Sequence, residues 1–269
     1  MTPPPSTRGP RLACSTVSVF SLSLPDAFGL IAGAGFSGVE VMVTKDPDTR
    51  DPQRLRELAE DHGVRIDALH APFLLVTRTV WGTDPVGKIH RAVELAEEVG
   101  APLVVVHPPF RWQSRYRRWV REELSAFAES TPVVVGVENM FPVHVRGRRV
   151  AFHAVTTLAD LDGFDHVVLD TSHASVAGLD LLEVLDALRG RIAHVHLSDN
   201  PGKGWDSHLP LGEGILPLEP FLENLAAAGY TGTVSLELDL RRHQGDVEAL
   251  REALSRNREF CAARFPLVT

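Results

Sequence analysis

The sequence predicts an α/β chain folded as a single (β/α)8 TIM barrel, and three observations carry that prediction. Short β-branched runs alternate with amphipathic stretches along the chain, the pattern of βα units around a parallel sheet. Eight such runs occur, and most of the connections between them read as helices. The length of 269 residues suits one barrel, and neither a linker nor a composition shift divides it. An open doubly wound sheet is the structural rival. It is disfavoured because no Gly-rich phosphate loop follows any strand, and no organic cofactor is expected.

The first strand is expected over Leu12 to Phe20, with a helix opening near Pro25, a favoured first-turn residue. Gly38 to Val43 forms the second strand, and Asp51-Pro52 starts its helix as N-cap and first residue. Arg65 to His70 is the third strand, followed by a helix from Asp84 to Val99 that ends at Gly100. Pro102 to His107 is almost purely apolar, as a strand buried on both faces should be. Pro132 to Asn139 is the fifth strand, and Arg146 to Gly163 holds a weak helix at best. Val167 to Asp170, Ile192 to His196 and Thr233 to Leu238 complete the eight, with helices at Leu179 to Leu188, Leu218 to Ala228 and Asp246 to Arg264.

Bulk properties narrow the function classes. Hydrophobic residues make up 44% and charged residues 23%, enough apolar material for a sizeable core. There is no apolar run of membrane-spanning length, so no membrane partner is expected. Residues 1–11 read as a disordered lead-in without an apolar signal region, leaving the barrel at 12–269. Two cysteines, Cys14 and Cys261, sit in no metal or redox spacing and fit a reducing cytoplasm. A net charge of −8 argues against nonspecific nucleic-acid binding, although Arg111, Arg115, Arg117 and Arg118, then Arg146, Arg148 and Arg149, then Arg241 and Arg242 form local basic clusters.

Chemistry is concentrated at the strand ends. Six strands finish in a residue able to bind metal: His70, His107, Glu138, Asp170, His196 and Glu237. Each follows a run of Val, Leu, Ile or Ala, so it emerges where a buried strand reaches the barrel mouth, and the spacing of about thirty residues is one βα unit. Carboxylates gathered in one pocket need a cation to neutralise them. Imidazoles mixed with carboxylates suit Zn²⁺, Mn²⁺, Co²⁺ or Fe²⁺, and Mg²⁺ is retained as a further candidate. Two loops add His173 and the Asp206-Ser207-His208 pair, a compact chelating spacing followed by Gly212 and Gly214. His194 faces the same way as His196 but deeper, and reads as packed core or a support for the ligands. His62, His90, His144, His153, His166 and His243 read as surface residues, and Trp81, Trp112, Phe110 and Phe141 as packing.

These residues resemble the xylose-isomerase-like barrel superfamily over nearly the whole chain after Arg11. That superfamily includes sugar phosphate isomerases and epimerases, inosose dehydratases, hydroxypyruvate isomerases and the endonuclease IV group of abasic-site nucleases. The resemblance to its epimerases implies one metal held by Glu138, Asp170, His196 and Glu237, with the two glutamates as acid/base pair. The resemblance to endonuclease IV implies three zincs held by His70, His107, Glu138, Asp170, His173, His196, Asp206, His208 and Glu237. Three stretches depart from the nuclease pattern: Ser198-Asp199-Asn200-Pro201, Asn139-Met140-Phe141-Pro142 and Ala71-Pro72-Phe73. They weigh against abasic-DNA recognition and leave the metals in place.

The leading expectation is a metal-dependent isomerase or epimerase acting on a sugar, sugar phosphate or related hydroxy-carbonyl compound. Glu138 and Glu237 would move the proton and His173 would steer a substrate oxygen. Arg111, Arg146 and Lys203 are the candidates for holding a substrate phosphate. The alternatives are a multinuclear-zinc phosphoesterase acting on abasic DNA, and a barrel that binds metal or sugar without turnover. Oligomeric state, including a homo-oligomer, is left open.

Overall fold

In a computed structural model, residues 9–73, 77–146, 148–202 and 204–265 are described. The chain opens with β1 (Arg11–Ser15) and a 3-10 turn, Thr16–Val19, followed by α1 (Leu24–Gly33), β2 (Gly38–Met42), α2 (Pro52–His62) and β3 (Arg65–His70). Then come α3 (Pro85–Val99), β4 (Leu103–Val106), α4 (Ser114–Glu122), α5 (Leu124–Glu129) and β5 (Val134–Glu138). A hairpin, β6 (Val143–Val145) with β7 (Arg148–Val150), precedes β8 (Val167–Asp170), α6 (Thr171–Ala177) and α7 (Leu181–Ala187). The chain finishes with β9 (Ile192–Leu197), α8 (Leu218–Ala227), β10 (Thr233–Leu236) and α9 (Val247–Ala262).

Eight strands close in the order β1-β2-β3-β4-β5-β8-β9-β10, every neighbouring pair parallel, which is the single (β/α)8 barrel. The helices start and stop where local chemistry dictates. The Asp51 carboxylate accepts the N–H groups of Gln53 and Arg54, Pro52 follows it, and Gly63 ends α2 in the left-handed conformation. Asp84 and Gly100 bound α3 in the same way. The inner helix faces bury Phe28, Ile31, Leu55, Leu58, Ile89 and Phe221 against the outside of the sheet. A separate small cluster, Ala68, Leu103, Val105 and Val168, packs inside the barrel.

Several expectations are corrected. The first strand stops at Ser15, because the Ser15 hydroxyl accepts the Val17 N–H and turns the chain. Helices α4 and α5 stand between β4 and β5; the arginines of α4 mask the buried Tyr116 and Trp119 that dock it, and Leu124 is the buried residue of α5. The stretch from Arg146 to Gly163 holds a strand of the hairpin and a 3-10 turn at Ala159–Leu161 instead of a weak helix. Arg11 already belongs to the barrel, its N–H bonded to Gly232 O at 2.9 Å, while residues 1–8 of the expected lead-in lie outside the described residues. No helix among the described residues is long and apolar enough to cross a membrane.

Candidate metal centre

Strand periodicity delivers the site. Side chains two residues apart share a face. Above the inner cluster of Ala68, Val105 and Val168, the next inward positions are therefore His70, His107 and Asp170. Glu138, His196 and Glu237 stand in the same relation to Gly136, His194 and Ser235. Gly136 is required by close approach, since a Cβ there would lie 2.7 Å from Val168 Cγ2.

The nine residues fall into three adjoining groups. In the first, His196 Nδ1 faces three carboxylates: Glu138 Oε1 at 3.0 Å, Glu237 Oε2 at 3.3 Å and Asp170 Oδ2 at 3.8 Å. In the second, the other Glu138 oxygen lies 2.9 Å from His107 Nε2 and 3.7 Å from His70 Nε2, so Glu138 is shared. In the third, Asp206 Oδ2 sits 3.2 Å from His173 Nε2 and 2.7 Å from His208 Nε2. His173 is carried by α6, not by a loop: Asp170 caps that helix by accepting the His173 N–H at 2.7 Å. The His173 Nδ1 proton goes to Asn139 O at 2.8 Å, which turns Nε2 toward Asp206.

Charge is distributed unevenly. Burial would raise Glu138, yet His107, His173 and His196 hold its carboxyl well below the usual range. Burial does prevail at Glu237 and Asp170, both pushed up. Against burial, Glu40, Glu237 and Glu138 raise His196 well above its ordinary value, and Asp170 with Asp206 does the same to His173. His208 is raised to about 10, the pull of Asp206 outweighing burial. Asp170 Oδ2 and Glu237 Oε2 are buried without a hydrogen-bond partner among the described residues. A buried carboxylate oxygen left without a donor is costly, and a cation at the point where these atoms meet His196 Nδ1 would satisfy both. The donor set therefore fits a divalent ion held by Glu138, Asp170 and His196, with Glu237 Oε2, 3.3 Å from His196 Nδ1, as a fourth donor. The same donor chemistry recurs in His70, His107 and Glu138, and in Asp170, His173 and His208.

The loop carrying Asp206 and His208 is tied down by Asp199. The Asp199 carboxylate accepts the N–H groups of Asn200, Gly212, Gly214 and Leu216 at 2.8 to 3.0 Å. Gly214 has no room for a side chain, because a Cβ would meet Asp199 Oδ1 at 2.2 Å and Asn200 O at 2.4 Å. Asp199→Ala leaves four N–H groups without their acceptor and should lower the unfolding free energy by about 3 kcal/mol. Urea unfolding followed by circular dichroism checks this, and a midpoint equal to the parent's would contradict it.

The basic candidates are placed differently. Arg111 is exposed and donates through Nε to His153 O at 3.2 Å, and Arg146 is exposed at the tip of the β6–β7 hairpin. Lys203 lies outside the described residues. Arg149 donates to Ala177 O, Arg241 pairs with Asp239, and Arg242 pairs with Glu213. Two readings of single residues change. His153 comes to the rim of the site, its ring 6.1 Å from that of His107, and Trp112 is 65% exposed, stacked on Phe110 instead of packed inside. With Phe73, Arg78 and Gln113 they line a cavity of about 450 Å³ beside His107. The side chain of His144 is outside the described part, while His90 and His166 are exposed.

One functional candidate escaped the sequence reading. Glu40, on β2, is fully buried and reaches His194 Nε2 at 2.8 Å and His196 Nε2 at 3.0 Å. Burial would raise its carboxyl, but the two imidazoles hold it well below the usual range. The available signal was a carboxylate inside the apolar run Gly38-Val39-Glu40-Val41-Met42.

Comparison with known proteins agrees with this architecture. The chain is 36% identical over 247 residues to an uncharacterized protein of Mycobacterium tuberculosis (strain ATCC 25618 / H37Rv), covering 85% of this chain and 88% of that one. It is 31% identical over 204 residues to a probable endonuclease 4 of Mycobacterium leprae (strain TN), covering 70% of this chain and 78% of the relative. The crystal structure of a D-tagatose 3-epimerase-like protein superposes with a TM-score of 0.69 at 26% identity, covering 94% of this chain and 98% of that one. A family model described as xylose isomerase-like TIM barrel matches residues 28–260, and the chain belongs to that family.

Proposed function

We propose that the protein is a divalent-metal-dependent isomerase or epimerase of a small hydroxy-carbonyl compound, a sugar or sugar phosphate. The observation that carries this reading is the placement of Glu138 and Glu237. Glu138 ends β5 and Glu237 directly follows β10, two strands separated around the barrel by β8 and β9, and both carboxylates meet the same imidazole nitrogen of His196. A substrate carbon above His196 would lie between two carboxylates, one to remove its proton and the other to return one. A divalent ion bound by Glu138, Asp170, His196 and Glu237 would supply Lewis-acid polarisation of the substrate carbonyl. His173, held by Asn139 O and Asp206, orients a substrate oxygen, and the cavity beside His107 takes the rest of a small molecule. The D-tagatose 3-epimerase-like structure supports the reading. So do the net charge of −8 and the pairing of Arg241 and Arg242 with carboxylates, which leave those two guanidiniums committed within the chain.

A second reading, phosphoester hydrolysis at abasic DNA, is favoured by one observation. His70 and His107 on one side and His173, Asp206 and His208 on the other offer more donors than a single ion uses. The probable endonuclease 4 relative points the same way. Proton NMR in D2O separates them. Protein purified without chelator and supplied with Mn²⁺ should place deuterium at the carbon beside the carbonyl of one member of a ketose and ketose phosphate panel. No exchange on that panel, with two or three zincs per chain and cleavage of an abasic-site oligonucleotide, would replace the isomerase reading by the hydrolase.

A further inference from the structure

We propose that Glu40 is a positioning residue that fixes the tautomer of His196, clamping its Nε2–H so that Nδ1 is the nitrogen presented to the metal. The inference rests on the metal-site reading above and adds a component to it.

Elementary acid–base structure leads there. An ionised carboxylate only accepts hydrogen bonds, and a neutral imidazole carries one N–H and one lone pair. Both His196 nitrogens face carboxylates, Nε2 at 3.0 Å from Glu40 Oε1 and Nδ1 at 3.0 Å from Glu138 Oε1, so without a cation each carries a proton. A cation held among Glu138, Asp170 and Glu237 would displace the Nδ1 proton, and Glu40 keeps the remaining one on Nε2. With the proton on Nδ1 instead, Nε2 would turn a lone pair toward the Glu40 carboxylate, two acceptors in contact inside a dry barrel.

His194 completes the clamp. Its Nε2 lies 2.8 Å from the second Glu40 oxygen, and its ring packs edge-on against His196 with centroids 5.2 Å apart. Both Glu40 oxygens are therefore engaged, so the carboxylate cannot rotate away from His196 without abandoning one imidazole. All three side chains are fully buried, which excludes water as a substitute partner. The clamp also crosses the barrel: β2 and β9 are separated by β1 and β10, so Glu40 reaches His196 through the interior and not along the sheet. That explains a charged residue in the middle of β2, where packing alone would favour an apolar one.

The test reads metal affinity and tautomer, neither of which requires turnover. Zinc affinity is measured by competition with a chromophoric chelator for the parent chain, Glu40→Gln and Glu40→Asp. Glu40→Gln keeps the volume but offers one acceptor oxygen where two N–H groups need one each, and should bind zinc roughly 10–100-fold more weakly. Glu40→Asp, with the charge restored, should recover part of that loss. In the zinc-loaded parent, long-range proton–nitrogen NMR should find His196 protonated at Nε2 and metal-bound at Nδ1. A His196 protonated at Nδ1, or a Glu40→Gln protein with the parent's zinc affinity, would overturn the positioning role and leave the metal site standing. A parent chain that binds no divalent ion would overturn both. The tautomer measurement stands even where Glu40→Gln fails to fold.

Discussion

Turnover by Glu237→Gln is expected to fall by about 10²–10⁴-fold in kcat, with KM moving only a few-fold. Gln at this position keeps a side-chain oxygen of the same reach toward His196 but cannot take or give a proton at neutral pH. With divalent ion in excess to offset the weaker Gln ligand, substrate binding drawn from His173, the cavity beside His107 and the remaining donors is left in place, so the loss belongs in kcat. Deuterium exchange from D2O should be lost for the epimer whose proton faces Glu237 and persist for the one facing Glu138, because each carboxylate serves one face of the carbon. The Glu138→Gln variant carries the opposite prediction for binding. Glu138 is shared between His196 on one side and His107 and His70 on the other, so its neutralisation weakens two groups of donors and metal content per chain should fall as well. Normal kcat in Glu237→Gln, with exchange retained in both epimers, would remove the two-carboxylate mechanism.

What the sequence revealed and what it hid follow from one physical distinction. Features encoded by consecutive residues were legible. Arg65–His70 reads as a strand because Gly63 closes the helix before it and Pro72 follows it, and the Asp51 and Asp84 caps mark α2 and α3 unambiguously. The strand-end donors were legible for the same reason: an apolar run ending in His, Asp or Glu marks the point where a buried strand meets the mouth. Features fixed by partners far along the chain were not. Glu40 acquires its role from His194 and His196, 154 and 156 residues away, and nothing beside it on β2 announces them. His153 reaches the rim because Ala154 N bonds Pro109 O and Arg111 N bonds Phe152 O, pairings that no local pattern encodes. His173 belongs to a seven-residue helix too short to show a periodic stripe, although Asp170 before it and Gly178 after it are its caps. Arg111 and Arg146 were singled out by charge alone, and charge does not say which way a flexible side chain on an exposed loop will turn.

Removal of bound metal should lower the melting temperature by roughly 5–10 °C, and Asp170→Asn should largely erase that difference. The first figure follows from linkage. A ligand present at about a hundred times its dissociation constant stabilises the folded state by ~2.7 kcal/mol. Each kcal/mol shifts the melting point of a chain near this size by roughly 2–4 °C. The second follows from where the site stores its cost. Asp170 is fully buried, its Oδ2 has no hydrogen-bond partner among the described residues, and burial has pushed its carboxyl up. In the metal-free protein burial, with Asp206 and Glu138, opposes its charge by more than His173 and His208 offset, which is the costly arrangement of a poorly paired buried carboxylate. Asn at 170 retains an oxygen to cap α6 through the His173 N–H and removes the charge. The metal-free variant should therefore melt a few degrees above the metal-free parent, while added Zn²⁺ or Mn²⁺ should raise it by less than about 2 °C. Calorimetry of both proteins with and without chelator gives the four melting points. A parent unaffected by chelator would mean that the buried carboxylates are balanced by protonated His196 and His173 alone, and that the folded state does not depend on a cation.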